Sequence, residues 1–121
     1  MIDLRGTWDC ISAVCSGIAT REPVVKSMMV EFTNEYYRMY RGGELLYEGR
    51  YVIDSGREPM VIQIYDLETH KLNKRMLISC EGAILKLCGA LFVDELPESF
   101  ASEKNSWVNL MTFKRAEKPF G

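Results

Sequence analysis

Four cysteines, one histidine and scattered serines and carboxylates are the side chains able to act as nucleophiles, bases or metal ligands, so their spacing is the first question. Cys10, Cys15, Cys80 and Cys88 contain no Cys-x-x-Cys pair. His70 falls in "LETHKLNK", which reads as a polar turn. Zinc wants closely spaced Cys and His ligands, so no metal site is expected. Two disulfides are the alternative use of four cysteines, but each lies in an apolar, strand-like run and reads as a buried free thiol.

The remaining catalytic patterns fail in the same way. The serines of "CISAVCSG" and "IDSGREP" lack the Gly-x-Ser-x-Gly elbow that exposes a nucleophile. "YRGGELL" is a hairpin turn, because no Gly-Lys-Ser/Thr follows to cradle phosphate. His70 has no partner in view to make it a general base. The chain is therefore expected to be no enzyme and to need no cofactor.

The elements that hold these residues are read from the hydrophobic period. Short alternating apolar runs end in turn signals every 8 to 12 residues or so, the spacing of an all-β sandwich or barrel. Eight strands are expected, at about 7–15, 28–33, 36–41, 44–54, 60–65, 74–80, 83–88 and 106–115. A turn at Asn34-Glu35 sets Phe32 opposite Tyr37, Val30 opposite Met39 and Glu31 opposite Arg38, which pairs apolar residues on one face and opposite charges on the other. A Gly42-Gly43 turn sets Met39 opposite Leu46. A turn at Glu81-Gly82 sets Ile78 opposite Leu85 and Met76 opposite Leu87.

Two connections are longer. "GIATREPVVKSM" is expected to hold a short helical turn begun by Pro23, placed as a lid over an open end. "GALFVDELPESFASEKN" carries Leu91, Phe92, Val93, Leu96 and Phe100, too apolar for a free loop, and must pack on the barrel or its mouth. With 121 residues, 47% hydrophobic and 26% charged, one globular domain over 1–121 accounts for the whole sequence. A net charge of -2, without a long Lys/Arg run, gives no field to collect nucleic acid. No stretch approaches the ~18 apolar residues of a membrane helix, and "MIDLRGTWDC" is no secretory leader. Membrane insertion is not expected, and the chain reads as cytoplasmic unless a leader precedes this sequence.

Gly6-Thr7-Trp8 at the first strand resembles the Gly-x-Trp signature of the lipocalins and the wider calycin group. The fuller similarity is to a bacterial lipocalin-like domain family of the planctomycete type, largely uncharacterised. It runs through "LRGTWDCISA", "VEFTNEYYRMYRGGELLYEGRYVID", "AILKLC", Pro97 and Phe100 of "LPESF", and "LMTFKR". The resemblance implies an eight-stranded antiparallel up-and-down barrel that removes its edges by closing. It further implies that Gly6 and Trp8 sit at the barrel floor with Lys114 or Arg115 across the indole. The second lipocalin motif, Thr-Asp-Tyr near the turn between the sixth and seventh strands, is replaced by "SCEGAI".

Parity then selects an interior. Phe32, Tyr37, Met39, Ile62, Met76 and Leu87 would wall it, beside Val30, Leu46, Ile78 and Leu85. The same parity sends Glu48 and Arg50 inward as polar anchors, unless a bulge at Gly49 returns Arg50 to solvent. The first expectation is a non-enzymatic barrel holding a small apolar or amphipathic molecule. The alternative is a filled barrel serving as a protein-protein interaction module, with Tyr36, Tyr40, Tyr47 and Tyr51 outward.

Overall fold

The computed structural model, which describes residues 3–90 and 96–116, turns those runs into one closed antiparallel barrel. Its strands are β1 (Gly6–Cys15), β2 (Ile18–Ala19), β3 (Met28–Phe32), β4 (Tyr36–Arg41), β5 (Glu44–Asp54), β6 (Met60–Asp66), β7 (Leu72–Glu81), β8 (Ile84–Ala90) and β9 (Val108–Arg115). Each long strand pairs with its neighbours in sequence, and β1 closes on β9 from Trp8 opposite Arg115 to Cys15 opposite Asn109. Closure leaves no long free edge. β2 is an addition to the eight expected strands, two residues that fold back on the end of β1.

The expected helical turn is α1 (Glu22–Ser27), with Pro23 in its first turn. It packs beside β1 and sends Val25 into the core, while a groove of about 400 Å3 remains between α1 and Cys10–Ala13.

Turn chemistry sets two hairpins as expected. The Thr33 N–H donates to the Tyr36 carbonyl and Thr33 Oγ1 accepts from the Tyr36 N–H across Asn34-Glu35, so Phe32 faces Tyr37 and Val30 faces Met39. Gly42 and Gly43 take φ values of 59° and 83°, the left-handed pair that a two-residue hairpin demands. Two registers differ from expectation. In the β7–β8 hairpin the turn residues are Gly82-Ala83, so Ile78 faces Leu87 and Cys80 faces Leu85. This displacement moves each residue by two positions against its partner and leaves the buried face unchanged.

The second difference reverses a face. Tyr40 pairs with Leu45, but Met39 pairs with Tyr47, so Leu46 is bulged out of the β4–β5 ladder and is 57% exposed. Past the bulge, Tyr47, Gly49, Tyr51 and Ile53 face the core, and Glu48, Arg50 and Val52 face outward. Gly49 itself keeps regular pairing, opposite Tyr37 and Asp66. The inward placement of Leu46, Glu48 and Arg50 is therefore corrected, as is the outward placement of Tyr47 and Tyr51.

The interior is solid from the floor to the middle of the barrel. Trp8, Val30, Phe32, Ile62, Ile64, Met76, Ile78, Leu85, Leu87 and Phe113 are all at most 2% exposed and form one cluster. β6, β7 and β8 are buried on their other face too. Val61, Leu77 and Cys88 lie under Leu96 and Phe100, with Val108 and Leu110 at the side. This explains why "MVIQIY" and "MLIS" are continuous apolar runs and do not alternate. The long connection thus packs on the outside of the barrel; Leu91, Phe92 and Val93 lie outside the described residues.

Candidate functional site

The two ends of the barrel are built differently. At one end Trp8 is fully buried and its indole Nε1 donates to the Leu4 carbonyl at 2.9 Å. The Arg115 guanidinium lies 4.1 Å from the centre of the indole, and donates to the carbonyls of Arg5 at 2.8 Å and Asp3 at 2.9 Å. A cation over an indole contributes ~0.5 to 2 kcal/mol. Gly6 has φ 120°, and a Cβ there would sit 3.3 Å from the Arg115 guanidinium. Both facts favour glycine where Gly-x-Trp places it. Lys114, the other basic candidate, is exposed on the outer face opposite Asp9 and takes no part in this closure.

The Asp3 carboxylate pairs with Arg5 at 3.0 Å, and that hydrogen-bonded partner holds its pKa down to about 2.

The opposite end, the mouth, gathers the ends of β1 and β8 and the beginnings of β5 and β7. Here the inward residues are half-buried: Cys15, Met28, Met39, Tyr47 and Lys74. Tyr47 points into the barrel because of the Leu46 bulge, and its phenol folds over Gly49, where a Cβ would meet the hydroxyl at 2.7 Å. The Tyr47 hydroxyl is buried without a hydrogen-bond partner among the described residues; Asn73 comes near it without reaching bonding geometry. Burial pushes the Tyr47 phenol pKa up.

Lys74 shares the inward face of β7 with Met76 and pairs with Ile64 across the β6–β7 ladder, next to the bulge that Asn73 makes. Its stem crosses Gly89 on the facing strand. A Cβ at Gly89 would lie 3.3 Å from the lysine Cε and 2.6 Å from Met76 Cγ, so the missing side chain is what admits both. Burial lowers the Lys74 pKa, and Cys15 is close enough to oppose that shift. Among the described residues no carboxylate lies within ion-pair distance of the ammonium.

The residues expected to bind ligand divide between these settings. Phe32, Ile62, Met76 and Leu87 sit in the solid core and Tyr37 at its upper edge, where burial drives the phenol pKa far up. Met39 reaches the mouth. Glu48 pairs with Arg38 on the outside, in a network that Glu31 joins at 3.3 Å, and Arg50 lies outside with its guanidinium 5.8 Å from the centre of the Tyr36 ring. Neither serves as an interior anchor. The inward polar side chains at the mouth are Lys74 and Tyr47 instead. Counting back two residues from Met76 reaches Lys74 from sequence alone, whereas Tyr47 is hidden behind the bulge.

The other reactive side chains are dispersed. The four cysteines are unpaired, and burial pushes the thiol pKa of Cys10, Cys80 and Cys88 up, which keeps them protonated and weakly nucleophilic. Among the described residues no three His, Cys, Asp or Glu side chains are grouped to hold a metal. His70 is exposed in the β6–β7 turn with φ 59°. No described helix is long and apolar enough to cross a membrane.

No family model matches the chain, and no curated protein does. A solved structure of a DUF4909 family protein from Staphylococcus aureus is similar over 93% of this chain and 97% of its own, at 15% identity and a TM-score of 0.48.

Proposed function

We propose that this is a non-enzymatic lipocalin-like barrel that binds a small amphipathic molecule at its mouth. Such a site is shallow, since the packed layer through Ile62, Met76 and Leu87 leaves no room for a deep calyx. One observation carries the reading: the Tyr47 hydroxyl is buried without a partner beside the half-buried Met39. A buried hydroxyl without a partner costs roughly 1–3 kcal/mol, a cost that a polar ligand group removes. Methionine at Met28 and Met39 adapts to varied apolar shapes. Four unpaired cysteines support a reducing, cytoplasmic setting.

Native mass spectrometry of protein isolated from its own cells tests this reading. The expected result is a small bound mass that organic extraction removes, with the Met39 methyl resonance shifting on its loss. A bare chain whose Met39 resonance is the same before and after extraction would sink it.

A second reading, a filled barrel that docks a protein partner, has one specific support. Trp107 is 57% exposed at φ 57°, a backbone conformation that bulky residues rarely adopt, and its backbone is tied to the β1–β2 turn through Ser16. Ile18, the first residue of β2 after that turn, is 73% exposed. The outward face of β4 and β5 adds Tyr36 and Tyr40 but not Tyr47 or Tyr51, which narrows the surface this reading requires.

A further inference from the structure

We propose that the ligand is a monoanionic carboxylate amphiphile whose head is held by the Lys74 ammonium and the Tyr47 hydroxyl; this rests on the mouth being the ligand site. The argument is one of charge and geometry. Lys74 lies on the inner face of the barrel, its stem laid across Gly89 and against Met76, with no carboxylate in reach among the described residues. Half-buried on an apolar inner face, the ammonium offers an unmatched positive charge to an anionic group at the mouth. Tyr47 adds a buried donor that nothing uses. Asn73, next in the chain to Lys74, lies near that phenol, which places the two groups at the same end of the barrel.

One positive charge and one neutral donor balance one negative charge. A carboxylate fits that count, while a doubly charged phosphate monoester would leave a second charge uncompensated in a half-buried site. An uncharged alcohol would leave the ammonium unmatched. The tail is limited as well. Ile62 and Leu87 are fully buried, so a chain cannot run down the barrel axis and must lie across Met39 and Met28. A short or medium acyl chain satisfies that, and a long rigid ring system does not.

Calorimetric titration of the intact chain with decanoate, decan-1-ol and decyltrimethylammonium separates the possibilities, with circular dichroism checking the fold of each variant. Decanoate is expected to bind about tenfold or more tightly than decanol, from one charge-assisted contact, and the cationic probe is expected not to bind. Lys74→Met should remove that preference, and Tyr47→Phe should weaken decanoate several-fold. Equal binding of decanoate and decanol by the unmodified chain overturns the carboxylate assignment while leaving the mouth as an apolar ligand site, and this comparison needs no variant to fold. Preference for decanoate that persists in Lys74→Met and Lys74→Gln overturns the role of Lys74. Failure of all three probes overturns the carboxylate proposal, and the mass spectrometric result decides the mouth reading separately.

Discussion

The floor and the mouth of this barrel are made from the same strands, yet they follow opposite rules. At the floor every polar group has its place. The indole nitrogen meets the Leu4 carbonyl, the Arg115 guanidinium covers the ring and bonds two carbonyls, and Gly6 leaves space for it. At the mouth the rules lapse: Tyr47 hides an unused hydroxyl, and Lys74 is drawn inward without a described partner. Chains that are locally consistent almost everywhere tend to break their own rules where they act. On the proposed reading, stability belongs to one end and binding to the other.

Substitutions at the two ends should separate those roles. The largest effect is expected from Trp8→Ala, which empties the floor and should cost about 3–5 kcal/mol, read as a fall in the urea midpoint. A loss under about 1 kcal/mol would mean that the floor is not where stability resides. Arg115→Ala should cost about 2 kcal/mol through the lost stacking and two charge-assisted bonds, and Arg115→Lys should recover only part of it because an ammonium cannot fork to both carbonyls.

Lys74→Met should act in the other direction, stabilising the chain by about 0.5–2 kcal/mol while it weakens ligand binding. The sign follows from the lowered pKa: the folded chain binds the lysine proton less well than the unfolded one, so the charged side chain works against folding at neutral pH. Destabilisation by Lys74→Met would show that the ammonium has a structural partner. The smallest effect is expected from Asp3. Its folded pKa of about 2 lies below the ordinary carboxylate value of 3.8, so its contribution is complete above pH 4 and fades as pH falls towards 2. A thermal titration over that range should show a small drop in Tm that Asp3→Asn abolishes.

How much of this was legible beforehand differs by element. Strand positions, two of the three turns and the register of the β3–β4 hairpin came from turn chemistry acting locally, through Asn34-Glu35 and Gly42-Gly43. Trp8 and Arg115 came from a resemblance, because nothing local brings residues 107 positions apart together. The interior anchors were misplaced for a definite reason. A bulge leaves no composition signal when the extra residue is a leucine, and Gly49, the residue that looks like one, is used for clearance. The double-sided burial of β6 to β8 was visible as unbroken apolar runs, but which segment covers the outer face depends on contacts that only the folded chain specifies.

The extra residue at position 46 has one more consequence, for how this gene tolerates change. Its side chain points to solvent, so replacing Leu46 with serine or lysine should be nearly silent. Losing the codon should be tolerated too, because Tyr47 would then follow Leu45 directly, the bulge would close, and Tyr47 would stay opposite Met39 with Glu48 and Arg50 outside. What the fold does not tolerate is Leu46 entering the ladder, which would turn Glu48 and Arg50 towards the oily centre and cast Tyr47 and Tyr51 outside. Drift in this region is free to rewrite the letter, or to drop it, but not to bring it into line.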